Sequence, residues 1–248
     1  MAGTALPGRL TWQFTTLESR RQETPRVITL RLASPDWHGH TPGQHVDVRL
    51  TAEDGYQAQR SYSIGSAPAE GWLDLTVEDI TEGEVSPYLA EFLQPGDRLE
   101  LRGPIGGYFT WTPDDGGPLL LVAGGSGVVP LMSMLRLRKE SGSVVPTTLL
   151  MSSRDRTDII YMDELESLAA DPTLRVVHTL TRGHPADWTG YTRRVDAAML
   201  ADVSGAPTPS SLAYVCGPSG LVEAVSHDLV TLGYAPERVR TERFGPTS

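Results

Sequence analysis

Between Leu10 and Trp111 apolar residues alternate with polar ones or gather in short runs, and Gly, Pro and Asp turns separate them. Period-two patterning of this kind predicts strands at residues 9–16, 27–33, 44–50, 60–64, 72–77 and 98–101. Short strands at that spacing suggest a small antiparallel barrel. One stretch breaks the rhythm. Val85, Tyr88, Leu89 and Phe92 stand at helical spacing, and Pro95-Gly96-Asp97 follows, so a helix is predicted over 85–93.

After the turn-rich run 112–118 the pattern changes. Apolar runs at 119–123, 147–152, 174–180 and 212–216 alternate with helix-like segments at 131–140, 162–170, 193–200 and 220–232, and 237–244 would add a last strand. Alternating β and α segments predict a parallel, doubly wound sheet covered on both faces. The expectation is therefore two domains, a β-barrel over 1–113 and an α/β domain over 114–248.

The organising stretch is Leu119-Leu-Leu-Val-Ala-Gly124-Gly125-Ser126-Gly127-Val-Val-Pro130, a buried strand, a glycine turn and the start of a helix. Glycines there let the backbone come close to a ligand, and the first free N–H groups of the helix point at it, which suits a diphosphate. A ligand-free strand-to-helix turn would give the same residues, and Pro130 stands where the third glycine of G-x-G-x-x-G would be. In the first half, Arg60-Ser61-Tyr62-Ser63 offers a cation, an aromatic platform and hydroxyls on alternating faces of a strand. Glu82-Gly83-Glu84-Val85-Ser86 opens the one helix of that half and offers a second anion site, or a plain cap. Cys216-Gly217-Pro218 ends another strand, beside whatever the Gly124–Gly127 turn would hold. Two anion sites, one per half, are what a flavin nucleotide facing a nicotinamide nucleotide would require.

Composition narrows the classes. The 248 residues suffice for two cores, and a formal net charge of -10 argues against general nucleic-acid or anionic-membrane binding. With Cys216 the only cysteine, an intrachain disulfide and a built-in iron–sulfur cluster are both excluded, so any one-electron metal centre belongs to a partner. Nothing at the N-terminus reads as a signal peptide and no run reaches membrane-spanning length, so a soluble, cytoplasmic protein is expected.

Arg60-Ser-Tyr-Ser63, Gly83-x-x-Ser86, Gly103-Pro-x-Gly106, Gly124-Gly-Ser-Gly127-x-x-Pro130, Cys216-Gly-Pro218 and Glu242-Arg-Phe244 occur in an order that resembles the ferredoxin–NADP reductase superfamily, over nearly the whole chain. The resemblance implies a flavin-binding antiparallel barrel followed by a nicotinamide-binding α/β domain. Residue by residue, it implies that Arg60 and Ser61 meet the flavin nucleotide, Tyr62 packs on the flavin, and Ser63 sits by its reactive nitrogen. Val77, Gly83, Val85 and Ser86 would help to hold FAD. Gly124, Gly125, Ser126 and Gly127 would hold the nicotinamide diphosphate, with Cys216, Gly217 and Pro218 near the nicotinamide. Glu242 would be a proton relay and Phe244 a cover for the ring. Ser63, Cys216 and Glu242 are thus the expected catalytic set. Plant-type members end at the aromatic residue, whereas this chain continues through Gly245-Pro246-Thr247-Ser248.

Cations after the second and third strands of the α/β half, Ser153-Arg154 and Thr181-Arg182, match a 2′-phosphate, so NADP(H) is the expected nucleotide. The expected activity is an FAD-dependent NAD(P)H oxidoreductase that passes electrons to a ferredoxin or another iron–sulfur protein. An NAD(P)H:flavin reductase and a flavin-binding subunit of a larger complex are the alternatives. His38, His40 and His45 suggest a metal cluster only superficially, because Pro42-Gly-Gln-His45 resembles a barrel-strand entry of the same family, and no metal is expected. Glu78 and Asp79 read as solvated groups, or as groups backbone-positioned near the flavin, rather than as catalytic acids, and Ser126 has no serine-hydrolase context.

Overall fold

The computed structural model describes residues 10–80 and 83–244; Arg9, Thr81, Glu82 and the stretch 245–248, on which parts of the reading above fall, lie outside the described residues. Six strands form the first sheet: β1 (Gln13–Thr24), β2 (Val27–Ala33), β3 (His45–Thr51), β4 (Gln57–Ser63), β5 (Trp72–Glu78) and β6 (Arg98–Ile105). Their order is β4-β3-β6-β1-β2-β5 and every pairing is antiparallel. An antiparallel bridge between Ile64 and Leu75 joins the two ends of that order, so the sheet rolls toward a barrel. Its core is largely aliphatic, with Leu30, Leu32, Val46, Val48, Leu73, Leu75 and Val77 fully buried.

The second sheet contains β7 (Leu119–Gly124), β8 (Thr147–Ser153), β9 (Leu174–Leu180), β10 (Leu212–Pro218) and β11 (Val239–Phe244), in the order β11-β10-β7-β8-β9 with all pairs parallel. Counted from its own first strand this is 3-2-1-4-5 read from the β9 edge, and the winding reverses between β7 and β10. Ligands of open parallel sheets collect at the carboxyl ends of the strands beside such a reversal. Every residue of β7 is buried, as a strand covered on both faces requires.

Among the described residues five α-helices accompany the sheets: α1 (Val85–Pro87), α2 (Val128–Glu140), α3 (Met162–Leu168), α4 (Ala197–Ser204) and α5 (Ser219–Thr231). Several differ from the sequence-based expectation. The helix expected over 85–93 is one turn of α1 followed by a wider π turn, Tyr88–Phe92, closed by Leu93 N–H donating to the Tyr88 carbonyl at 3.1 Å. α2 starts three residues earlier than predicted, because Pro130 in a first helical turn forfeits no hydrogen bond. α4 starts four residues later than predicted, where Asp196 caps it by accepting from Met199 N–H at 2.8 Å. β1 runs eight residues past its predicted end, through the charged stretch Glu18 to Glu23.

α2 is buried almost all round in its first two turns because it lies between the sheets. Ser133 Oγ donates to the Ser66 carbonyl at 2.6 Å and Arg136 Nη1 to the Gly65 carbonyl at 2.5 Å. Val27, Phe109 and Trp111 of the first half join the apolar cluster on that face of the parallel sheet. The two sheets therefore share a packed seam, which fixes what faces what at the strand ends. No helix among the described residues is long and apolar enough to cross a membrane.

Candidate active site

A cleft of about 260 Å³ opens at the carboxyl ends of the parallel strands, toward the end of β5. Gly124, Gly125 and Ser126 after β7, Ser152, Ser153 and Arg154 at and after β8, Thr181 after β9, Pro218 ending β10 and Phe244 ending β11 line it from one side. Thr24, Arg26, Val27 and Glu78 line it from the other sheet. A larger hollow of about 470 Å³ lies at the opposite ends of β7 and β8, among Pro118, Pro146 and Pro172, and holds none of the predicted site residues.

The glycine turn is shaped by contact with β10. A Cβ on Gly127 would stand 2.2 Å from the Cys216 carbonyl oxygen, so only glycine lets the two turns meet. Gly125 has φ +55°, in the left-handed region, and a Cβ there would meet nothing within 4 Å. The first glycine allows close strand packing, and the second leaves open space before the cleft. Arg182 N–H donates to the Arg154 carbonyl at 2.9 Å, which joins the backbones after β9 and β8; Arg154 lines the cleft, and both arginines are exposed.

Where the sheets face one another, residues far apart in the chain converge. Ser63 Oγ, at the end of β4, donates to Glu242 Oε1 at 3.5 Å, and Cys216 is the partner of Glu242 in the β10–β11 register. The three expected catalytic residues thus stand together. Burial pushes the Glu242 carboxyl up to about 7, with the Ser63 hydroxyl pulling the other way. Burial, reinforced by the Glu242 charge, holds the Cys216 thiol well above its ordinary range, so it is a neutral thiol at pH 7. A carboxyl that titrates near neutrality beside a hydroxyl can hold or move a proton under physiological conditions.

The remaining predicted residues divide. Tyr62 is half-buried, and its hydroxyl is raised by burial against the opposing pull of Arg60 and the Ser86 hydroxyl, which places the two first-half motifs side by side. Arg60 is exposed and donates from Nη1 to the Gln59 carbonyl at 2.7 Å. Ser61 turns away from that face and donates to Asp47 Oδ1 at 2.7 Å. Val77 is fully buried in the barrel core, so only its backbone is available to a ligand. Ser86 and Val85 are buried, and a Cβ on Gly83 would press on Ser86 Oγ at 3.0 Å. His40 shares a hydrogen bond with the Ser66 carbonyl at 3.1 Å, and no group of three metal-ligating side chains is gathered among the described residues.

Sequence reasoning missed Arg26 and Asp158 in the cleft and read Glu78 as solvated or merely backbone-positioned, whereas Glu78 Oε2 accepts from Ser126 Oγ at 3.0 Å. Asp79 was read in the same way as Glu78, as solvated or backbone-positioned near the flavin. The Oδ1 of Asp79 and the Oγ of Ser153 are buried with no partner among the described residues. A buried polar atom without a partner costs free energy, which a ligand group can repay. With the open Gly125 surface and the half-buried Tyr62, these atoms make a donor and acceptor set that fits two polar, flat-ringed nucleotides.

Residues 15–110 match the family described as "Oxidoreductase FAD-binding domain", and residues 121–227 match "Oxidoreductase NAD-binding domain". Among similar proteins, ferredoxin–NADP reductase B of Sorangium cellulosum is 38% identical over 212 residues, covering 82% of this chain and 84% of that one. The glycine betaine monooxygenase reductase subunit of Pseudomonas aeruginosa is 32% identical over 209 residues, 83% of this chain but only 56% of that protein's length. The cytochrome P450 reductase of Amycolatopsis has a structure superposing with TM-score 0.83 at 25% identity, over 96% of this chain and 71% of that one. A ferredoxin NADP+ reductase from Neisseria gonorrhoeae, solved with FAD and NADP, has the same fold, with TM-score 0.80 at 23% identity, over 94% of this chain and 98% of that one. The chain belongs to the ferredoxin–NADP reductase superfamily of FAD- and NAD(P)-binding oxidoreductases.

Proposed function

We propose that the protein takes a hydride from NADPH onto a tightly held FAD and passes the electrons singly to a separate iron–sulfur protein, a ferredoxin or an oxygenase component. The observation that carries this reading is the convergence of Ser63 from one sheet with Glu242 and Cys216 from the other. When bound, FAD supplies the conversion between a two-electron donor and a one-electron acceptor. The chain's own residues bind, orient and manage the proton. Tyr62, Arg60, the backbone at Val77 and the Gly83–Ser86 turn would hold the flavin nucleotide. Gly124 to Gly127 would hold the nicotinamide diphosphate, with Cys216 to Pro218 and Phe244 bounding the place of the nicotinamide. Glu242 would hold a proton and Ser63 would relay it.

The one cysteine leaves no place for an iron–sulfur cluster of the chain's own, which supports a separate acceptor. Relatives named as reductase components of dioxygenase systems support the class of partner. Retention of yellow colour through gel filtration, acid release of about one FAD per chain, bleaching by NADPH and reduction of an added ferredoxin are the expected results. FMN alone, or flavin lost on the column, would sink the reading in favour of a flavin reductase.

Nucleotide choice rests on Arg154, which lines the cleft, and on Arg182, whose backbone is bonded to that of Arg154, and a 2′-phosphate would accept charge-assisted hydrogen bonds from them. Such a bond contributes roughly 1.5 to 3 kcal/mol, so Arg182→Ala should cost about ten- to a hundred-fold in kcat/KM for NADPH and little for NADH. Equal losses with both nucleotides would remove Arg182 from the phosphate site.

A further inference from the structure

Four side chains link the two sheets across the mouth of the cleft. Ser126 Oγ, on the glycine turn, donates to Glu78 Oε2 at 3.0 Å. Arg26 Nη2 stands 3.8 Å from Glu78 Oε1 and 3.9 Å from Asp158 Oδ1. Glu78 ends β5 and Arg26 lies in the turn between β1 and β2, whereas Ser126 and Asp158 follow β7 and β8. All four line the cleft, and among the described residues the only other charged side chain lining it is Arg154.

We infer that these four residues form a latch across the cleft, and that the diphosphate of the nicotinamide nucleotide opens it by replacing Glu78 at Ser126 and taking over Arg26. This rests on the reading of Gly124–Gly127 as the diphosphate turn. A serine hydroxyl has one proton to donate, so the Glu78 carboxylate and a phosphate oxygen compete for it. Two carboxylates, Glu78 and Asp158, face the place where a dianion would arrive. That placement is unfavourable unless the cation between them changes partner. Arg26 is suited to the exchange. Its backbone is fixed, because its carbonyl accepts from Asp79 N–H at 2.8 Å, while its side chain is half exposed and sits at the outer range of ion pairing with both carboxylates. Partly exposed pairs at such distances are weak and cheap to break. The latch thus lowers nucleotide affinity by the cost of its own opening, and the exchange leaves Arg26 and Ser126 paired throughout.

Calorimetric titration of the FAD-loaded protein with NADP+ and with adenosine 2′-monophosphate, which lacks the diphosphate, separates the possibilities. Glu78→Gln, and independently Asp158→Asn, should bind NADP+ about fivefold more tightly than wild type, with the gain shrinking as salt is raised. Arg26→Ala should bind NADP+ about tenfold more weakly. Adenosine 2′-monophosphate should bind all four proteins alike. Equal or weaker binding of NADP+ by Glu78→Gln overturns the latch, since the carboxylate would then be a bystander or a direct contact to the nucleotide. If wild type binds neither NADP+ nor NAD+, the reading of the glycine turn falls first, and the latch with it.

Discussion

The two sheets meet along two seams of opposite character. At the inner seam, Arg136 donates to both oxygens of Glu164, at 2.8 and 2.6 Å, and to the Gly65 carbonyl, with its guanidinium 4.9 Å from the centre of the Tyr161 ring. The buried Tyr161 hydroxyl bonds Thr76 of β5, and Tyr161 holds this place with φ 62°, a left-handed conformation that costs a non-glycine residue free energy. Burial opposes the Arg136 charge there, yet the Glu164 carboxylate outweighs it and holds the guanidinium firmly protonated. At the outer seam, Ser63 and Glu242 make one long hydrogen bond, and burial without a cation drives the Glu242 carboxyl up to about 7. One seam is satisfied and sets the angle between the sheets. The other is left short of partners, which keeps its carboxyl able to exchange a proton.

If the inner seam is what positions the outer one, breaking it should cost most. Arg136→Ala strands the Glu164 carboxylate and should destabilise the protein by about 3 kcal/mol, the lower range for breaking a buried pair. Flavin reduction by NADPH should also slow about tenfold, because small misplacements of reacting groups are costly. Urea denaturation followed by tryptophan fluorescence, with stopped-flow reduction beside it, tests both parts. A loss below about 1 kcal/mol would make the inner seam ornamental.

Ser63→Ala should do the reverse. Its hydroxyl makes one long bond, so unfolding should change by no more than about 0.5 kcal/mol, whereas the rate of flavin reduction should fall about ten- to a hundred-fold with little change in nicotinamide affinity. Should the variant alter only affinity, Ser63 belongs to the binding surface rather than to the proton path.

The contrast also marks where the chain could be read in advance. Most strands of both sheets were legible because they bury a regular apolar set: β7 is apolar at every residue before its glycine, and β2 and β5 place aliphatic residues at alternate positions. The far end of β1 was not, because Glu18, Arg20, Arg21 and Glu23 look like a solvated loop; in the structure the strand is held by pairing with β2, and Arg20 reaches the Leu93 and Ala90 carbonyls. The start of α4 was placed too early because residues before Asp196 are drawn to β9, where Thr179 Oγ1 donates to the Arg193 carbonyl. Ser63 and Glu242 lie 179 positions apart, and only ordered motifs could put them in one site. Arg26 and Asp158 carry no motif, and their meeting is a product of how the sheets dock.

The smallest expected effect is the most specific to the outer seam, and it concerns pH. Glu242 has a folded pKa of about 7 against 4.5 for an ordinary glutamate. Below about 4.5 the carboxyl is protonated in both folded and unfolded chains, and the stability linked to its raised pKa is fully present. As pH rises through about 7 that contribution is lost, because the unfolded chain ionises freely while the folded one must charge a carboxyl with no cation beside it among the described residues. Glu242→Gln removes the titration. The variant should therefore match wild type near pH 4.5 and exceed it at pH 8 by about 1–2 kcal/mol, after allowance for the solvent screening of a half-buried group. Flavin reduction in wild type should show a limb with an apparent pKa near 7, and the variant should lack it. Thermal unfolding at pH 5 and pH 8, together with the pH profile of stopped-flow reduction, measures both. A stability difference that stays constant across this range would mean that Glu242 is already paired in the folded protein, and the two seams would then be alike.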